Sequence, residues 1–394
     1  MNITGRLLGK DGIYRLKMYN GIIQSITEVK KPLPDLPLII PGLIDIQVNG
    51  YGGYDFNHPA ISVASVEGCL RQLWNQGITS ICPTIITNSL QFTLKAVKTI
   101  ADACKQNPLI EEAILGIHLE GPFISNEDGP RGTHDAIHTR NPDLEVWNRL
   151  QEAAQGRIRL LTVAPELPGG LDFIETLSKR GVVIAIGHTA AAPEVIDQAI
   201  QCGAKLVTHI GNGVHPWLHR HDSYIWEELS RDELWASMIG DGIHLPERMM
   251  RCVLKCKGKE RTVLISDSLS PAGLKPGEYP GFGDCTLRVE PGGRIVRADT
   301  GILSGSSANV GECVRKVMRL PESGGFEDAV RMATFNPSII LGLASEIGSI
   351  EPGKHANFTM IKDQPGQDDN FEIIGTVIRG ELVFAKSNIL RDSM

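Results

Sequence analysis

Short apolar runs alternate with amphipathic stretches over most of this chain. Eight runs read as buried strands: LIDIQV from Leu43, ITSICP from Ile78, AILGIHLE from Ala113, RIRLLTV from Arg157, VVIAIGH from Val182, KLVTHI from Lys205, LWASMIGD from Leu234 and TVLISD from Thr262. Helical patterns lie between them, among them VASVEGCLRQLWNQ after the first and PEVIDQAIQ after the fifth. Strands alternating with helices predict a parallel sheet covered by helices. Eight such units closing on themselves make an α/β fold of the (β/α)8 barrel type, in which functional residues sit at the C-terminal strand ends.

The two ends of the chain read differently. The first forty residues are β-like runs, NITGRLLG, DGIYRLKMYNG and IIQSITEV, broken by turn signals and followed by a proline-rich connector from Lys31 to Pro41. The last forty-five, with IGSIEPGKHANFTMI and FEIIGTVIRGELVFA, are also strand-rich and cut by glycine and proline. One small β module from both termini, residues 1–40 plus 350–394, is expected around a barrel at 41–349.

Composition narrows the chemistry. With 42% hydrophobic and 22% charged residues in 394, the chain can bury a core and is not of the disordered class. Its 39 Lys and Arg against 46 Asp and Glu give −7, and no basic run could neutralise a row of phosphates. Nucleic acid is therefore not expected as a partner. No run approaches the ~18 apolar residues of a membrane span, so no membrane partner is expected either. The opening MNITGRLLGKDGIYRLK lacks the h-region and cleavage site of a signal peptide, which predicts a cytoplasmic location. Eight cysteines without a CxxC pair suggest neither a disulfide framework nor a thiolate zinc site. Cys252 and Cys256, four apart on an apparent helix, read as two buried structural thiols. GxSxG, GxxxxGK[ST], HExxH and a strand-borne GxGxxG are all missing, which disfavours serine-triad, P-loop and Rossmann chemistry. Gly50, Gly52 and Gly53 in VNGYGGYDF read as a tight loop over the barrel mouth.

Polar residues stand where the apolar strands end: Gln47 and Asn49, Glu120, His188, His209, Asp241 with His244, and Asp267. In a barrel they would converge on one mouth, and burying such groups without partners is costly. Glu120, His188 and His209 offer the carboxylate and two imidazoles that hold a catalytic metal with a position left for water. A metal there would lower the pKa of that water towards ~7. Asp267 is suited to take a proton from the water and pass it to a leaving amine, and His134 could polarise the carbonyl under attack. Blander roles compete: a hydrogen-bonded strand-end histidine, a turn or cap for Asp267 between Ser266 and Ser268, a solvated His134 in DGPRGTHDAIH. His58, His138 and His355 read as structural. The same donors accept zinc, iron, manganese or cobalt.

These residues sit in runs that resemble a known family. PGLIDIQVNGYGGYDF, HLEGPF with Glu120, IGHT with His188, THIGNG with His209, DGIH with His244 and SDSLSPAG with Asp267 resemble the N-acetylglucosamine-6-phosphate deacetylase family of the amidohydrolase superfamily. So do LSGSS near Ser304, RMATFNPS near Thr334 and GSIEPGKHANF, in the family's order over almost the whole chain. The resemblance implies a (β/α)8 barrel with a small β-sandwich built from both termini. It implies hydrolysis of the acetamide of a 6-phosphorylated amino sugar, a small-molecule substrate, to acetate and the free amine. Carried over by position, Glu120, His188 and His209 match the metal ligands, with zinc the expected ion. Asp267 matches the general acid/base and His134 the carbonyl-polarising histidine. Asn212, Gly213, Arg220 and His244 match positions that hold the sugar phosphate or hydroxyls. A homodimer is implied too, in which the matching arginine can reach the neighbouring site.

Two stretches depart from the pattern. Gln47-Val48-Asn49 stands where binuclear superfamily members carry HxH, so one metal per chain is expected. GVHPWLHRHDSYIWEEL after His209 is unusually rich in histidine and aromatics. There Arg220 either grips a phosphate bidentately or pairs with Asp222 or a nearby Glu. Trp217, Tyr224 and Trp226 either stack on a sugar and line a pocket, or serve a dimer contact or the core. The alternative functions are an amidohydrolase acting on N-acetylgalactosamine 6-phosphate, on an unphosphorylated acyl sugar or on a cyclic amide, and a non-catalytic barrel.

Overall fold

In the computed structural model, which describes residues 1–30, 36–282, 285–363 and 371–386, strands and helices follow one another in the expected order. Residues 31–35 of the expected proline-rich connector and 364–370 and 387–394 of the terminal module lie outside the described residues. The chain starts with β1 (Asn2–Leu7), β2 (Tyr14–Tyr19), β3 (Ile22–Glu28) and β4 (Leu38–Pro41). It then enters β5 (Leu43–Val48), a short hairpin of β6 (Gly50–Tyr51) and β7 (Tyr54–Asp55), α1 (Val63–Trp74), β8 (Ile78–Ile86), α2 (Leu90–Gln106), α3 (Pro108–Ala113) and β9 (Ile117–Glu120). There follow α4 (Leu144–Ala153), β10 (Ile158–Val163), α5 (Gly170–Lys179), β11 (Val183–Ile186), α6 (Pro193–Gln201), β12 (Ala204–Val207), α7 (Tyr224–Ser230), β13 (Trp235–Ile239), α8 (Glu247–Lys257) and β14 (Thr262–Ile265). A three-stranded insert, β15 (Gly277–Pro280), β16 (Thr286–Val289) and β17 (Ile295–Arg297), precedes α9 (Val310–Val317), α10 (Phe326–Met332) and α11 (Phe335–Ile340). The last strands are β18 (Phe358–Asp363), β19 (Phe371–Ile378) and β20 (Glu381–Ala385).

All eight strand candidates pair in parallel in one sheet, in the order β14-β13-β12-β11-β10-β9-β8-β5. Its two edges meet at the C-terminal end, where the Asp267 amide donates to the Gln47 carbonyl at 3.0 Å and the Asn49 amide to that of Ser268 at 2.9 Å. The mouth of the barrel is thus tied shut by the residues that flank the chemistry. The third strand is shorter than its apolar run suggests. Asn107 caps α3 by accepting from the Leu109 amide, and the helix holds the chain to Ala113.

Helices cover the sheet with one apolar stripe each. In α1 a capping box between Ser62 and Ser65 starts the helix, and Val66, Cys69, Leu70, Leu73 and Trp74 form its buried face. In α8 that stripe is Met250, Val253, Leu254 and the stem of Lys257. Cys252 and Cys256 fall on the opposite face at 100° per residue and are exposed, which corrects the expectation of buried thiols.

Strands from both termini form one mixed seven-stranded sheet, β20-β19-β18-β4-β1-β2-β3. Its core joins Ile3, Leu16 and Ile39 from one end to Phe358, Met360 and Val377 from the other. The glycines of VNGYGGYDF make a hairpin: Gly52 and Gly53 have φ of +62° and +91°, as a tight two-residue turn requires. Their amides donate to Ala272 and Ser270, pinning the hairpin to the loop after Asp267.

Side chains two apart on each strand share a face, so the barrel interior is layered. Cys82, Leu160, Ala185 and Leu206 form an apolar floor that packs with Ile340 and Ile347. Above it runs a buried polar chain: Thr84 Oγ1 lies 3.3 Å from His118 Nδ1, His118 Nε2 lies 2.8 Å from Thr162 Oγ1, and Thr162 Oγ1 lies 2.6 Å from Thr208 Oγ1. The next step up on these strands is the mouth.

Candidate active site

Three strand ends deliver donor atoms to one point. Glu120 is the last residue of β9, while His188 and His209 each stand two residues past β11 and β12. Glu120 Oε1 lies 3.1 Å from His188 Nε2 and 3.0 Å from His209 Nε2, and the two nitrogens are 3.0 Å apart. His188 Nδ1 lies 2.8 Å from the Pro130 carbonyl, which only accepts, so Nδ1 carries a proton and Nε2 is the nitrogen turned to Glu120 and left for a metal. His188, His209 and Asp267 all have positive φ, +52°, +31° and +50°. Non-glycine residues adopt this conformation at a cost of ~1–3 kcal/mol, which their surroundings must offset.

The two carboxyls share one amide. Gln47 Nε2 donates to Glu120 Oε1 at 2.9 Å and to Asp267 Oδ1 at 3.2 Å, and Asn49 Nδ2 donates to the same Asp267 oxygen at 2.8 Å. Burial opposes charge on Glu120, but the bonds to His188 and His209 outweigh it and hold the carboxyl well below its ordinary value. Asp267 is pushed up to about 6, first by burial and then by the charge of Glu120. Burial, with His188 beside it, pushes His134 down to about 3, so that imidazole is neutral. Its ring packs edge-on against His188 with centroids 4.4 Å apart. Asp241 Oδ2 lies 2.7 Å from His244 Nδ1, and Oδ1 accepts from the Ile243 and His244 amides.

These groups open onto a cavity of about 500 Å³. Glu120, His134, His188, His209, Asn212, Gly213, His244 and Asp267 all line it, and Phe282 and Ile302 extend its wall towards the three-stranded insert. Arg220 does not line it. That residue is exposed on the loop after β12, where its carbonyl accepts from Trp226 Nε1 at 3.0 Å. Tyr224 is buried, its hydroxyl accepting from the His215 amide at 2.9 Å, whereas Trp217 is 90% exposed and Trp226 is also exposed. His355 pairs with Glu112 at 2.6 Å, in keeping with a structural role.

A divalent cation fits the donors at the mouth. One carboxylate oxygen and two imidazole nitrogens, which would turn lone pairs to a cation that displaced the protons between them, stand at separations of 3.0–3.1 Å. Those are close to the ~3.3 Å edge of a tetrahedron whose bonds are ~2.0 Å long. A third imidazole is near, since donor atoms of Glu120, His134 and His188 all lie within 4.8 Å of one another. Sequence reasoning missed the bridging amide of Gln47, the Pro130 carbonyl that sets the tautomer of His188, and the buried His118 beneath. Only Gln47 carried a signal, a polar residue at a strand end.

Comparison with known proteins agrees with this geometry. Residues 293–383 match the model of the Amidohydrolase family. N-acetylglucosamine-6-phosphate deacetylase of Bos taurus is 33% identical over 356 residues, 88% of this chain and 83% of that protein. N-acetylgalactosamine-6-phosphate deacetylase of Escherichia coli O157:H7 is 31% identical, covering 89% of this chain and 92% of its own length. Among solved structures, a mutant N-acetyl-D-glucosamine-6-phosphate deacetylase of Mycobacterium smegmatis in complex with N-acetyl-D-glucosamine-6-phosphate superposes with a TM-score of 0.86 at 26% identity, over 98% of this chain and 99% of that one. The N-acetylglucosamine-6-phosphate deacetylase of Thermotoga maritima gives 0.85 at 26% identity, over 98% and 100%. With a relative one third identical over most of both chains and the same fold end to end, this chain belongs to the N-acetylglucosamine-6-phosphate deacetylase family of amidohydrolases.

Proposed function

We propose that the protein hydrolyses the N-acetyl group of N-acetylglucosamine 6-phosphate, giving glucosamine 6-phosphate and acetate. The observation that carries this reading is the convergence of Glu120, His188, His209 and Asp267 on one buried point in a chain of this family. A divalent ion, with zinc proposed, held by Glu120, His188 and His209 would supply a Lewis acid and an acidified water. Asp267, fixed by Asn49 and Gln47 and with its carboxyl near 6, can hold a proton near neutral pH and hand it to the departing amine nitrogen. Neutral His134 is a hydrogen-bond donor for the acyl oxygen, and its burial keeps water from competing. Asn212, Gly213 and His244, which line the same cavity, are proposed to hold the sugar hydroxyls and phosphate.

Arg220, exposed and outside its own chain's cavity, is proposed to reach the site of a second copy in a homodimer, with Trp217 and Leu218 in the contact. A cytoplasmic location goes with this reading, because a charged sugar phosphate does not cross a bilayer unaided. The division into a barrel, 41–349, and a small domain, 1–40 plus 350–394, is proposed on the sheet topology.

The test is acetate release, with metal content measured on the same sample. About one metal per chain and turnover of N-acetylglucosamine 6-phosphate are expected. N-acetylgalactosamine 6-phosphate belongs in the same assay, because one relative is named for it. Metal-loaded protein that releases acetate from neither would overturn the proposal.

A further inference from the structure

One layer below the mouth, the barrel interior turns from apolar to polar. Thr84 of β8, His118 of β9, Thr162 of β10 and Thr208 just past β12 stand there, each of them buried. His118 is the hub: its ring nitrogens lie 3.3 Å from Thr84 Oγ1 and 2.8 Å from Thr162 Oγ1. Thr162 carries the chain on to Thr208 at 2.6 Å, and Thr84 Oγ1 accepts from the Val48 amide of β5 at 3.0 Å. At the end of β11 the layer leaves no room for a side chain. A Cβ on Gly187 would stand 2.8 Å from Thr208 Cβ and 2.9 Å from Thr162 Cγ2.

Filling the barrel does not require this chemistry. Apolar side chains of the same shape can replace a buried hydrogen-bonded pair at little cost, and the floor beneath is filled by Cys82, Leu160, Ala185 and Leu206. What the layer does hold is the level of the strand ends. Val48 lies between Gln47 and Asn49, His118 comes two residues before Glu120, Gly187 just before His188 and Thr208 just before His209. The Thr162 carbonyl accepts from the Gly121 amide, next to Glu120, at 3.1 Å. The ladders that carry the donor residues are irregular lower down, with register shifts between Ile158 and Leu160 where β10 meets β9 and between Ile184 and Ala185 where β11 meets β12. Side-chain bonds across the layer lock the heights that such ladders leave loose, since a satisfied buried network specifies one arrangement.

We infer that His118 is a positioning residue of the metal site: by bridging Thr84 to Thr162 and so to Thr208, it fixes Glu120 and His209 at the heights that make the donor triangle. This rests on the reading of Glu120, His188 and His209 as metal ligands and deepens it. The geometry of that site is assigned to a residue outside the cavity lining. A leucine at 118 fills the space without bridging, whereas a glutamine brings a donor and an acceptor back to Thr162.

The experiment measures zinc affinity by chelator competition, beside thermal melts of the apo proteins, for wild type, His118→Leu, His118→Gln, Thr162→Val and the Leu–Val double variant. His118→Leu weakens zinc binding about 10- to 100-fold, and His118→Gln recovers most of that loss. Thr162→Val, which keeps the shape and removes the hydroxyl, loses as much as His118→Leu. The double variant loses no more than either, because both cut one chain. Wild-type zinc affinity with a lowered melting temperature would make the layer a matter of folding alone and overturn the inference. No recovery in His118→Gln, or losses that add in the double variant, would do the same. If His118→Leu does not fold, Thr162→Val decides by itself. A wild type that binds no zinc would instead sink the metal reading.

Discussion

Gly213→Ala perturbs the metal site through a residue that offers no side chain to it. Gly213 has φ of +61°, and a Cβ there would lie 2.8 Å from His188 Nδ1 and 2.9 Å from Cε1. The ring must retreat by about 0.6 Å or more to regain ordinary contact. It is not free to do so, because Nδ1 is held 2.8 Å from the Pro130 carbonyl and Nε2 sits at a corner of the 3.0–3.1 Å donor triangle. Metal–ligand distances tolerate only ~0.2 Å, and disturbing the support of a ligand typically lowers affinity about 10- to 100-fold. The left-handed backbone adds ~1–2 kcal/mol of strain for any residue with a Cβ. Gly132→Ala isolates that second effect: its φ is +60°, but its Cβ would meet the same His188 ring at 3.5 and 3.7 Å, an ordinary contact. Both variants should lose stability in thermal melts of the apo protein. Only Gly213→Ala should lose metal affinity in a chelator-competition titration. Equal metal affinities for the two variants would refute the reasoning.

Asp267→Asn keeps the bonds to Oδ1 but removes the transferable proton, so kcat should fall about 10²- to 10⁴-fold with metal content unchanged; a fall of less than threefold would reassign the acid/base. Asp45 is buried among the Gln47 and Ser266 amides, and burial pushes its carboxyl from 3.8 up to about 7. Between these values the folded chain keeps a proton that the unfolded chain has released, so this group makes stability fall as pH rises from about 4 to about 7. Asp45→Asn should flatten that slope in urea titrations across the window, and a slope identical to wild type would count against it. Trp217→Ala, at a side chain 90% exposed, should change monomer stability by less than ~0.5 kcal/mol. In sedimentation the same variant should weaken the proposed homodimer, and an unchanged association constant would move the contact elsewhere.

The eight barrel strands were legible because each is buried on both faces and reads as a near-continuous apolar run bounded by helical patterns. Their limits were less so: Ala113 looks like strand in the run AILGIHLE, yet the Asn107 cap carries α3 through it. Glu120, His188, His209 and Asp267 stood out because ionisable groups ending apolar runs need a reason. The thiols of Cys252 and Cys256 were misjudged because four-residue spacing shows that two side chains share a helix face, not which face.

What the sequence by itself determined is therefore the eight barrel strands, the strand-rich termini, the residue types at the mouth and the family. These follow from hydrophobic period and side-chain chemistry, which are local. The tertiary structure alone decided that one Gln47 amide ties Glu120 to Asp267 and that Pro130 sets the tautomer of His188. It alone kept Arg220 out of its own chain's cavity and set His118 between Thr84 and Thr162. Those facts are distances between residues tens to hundreds of positions apart. They come into being only when the sheet closes and the backbone at His188, His209 and Asp267 is forced into the left-handed turn that aims each side chain inward.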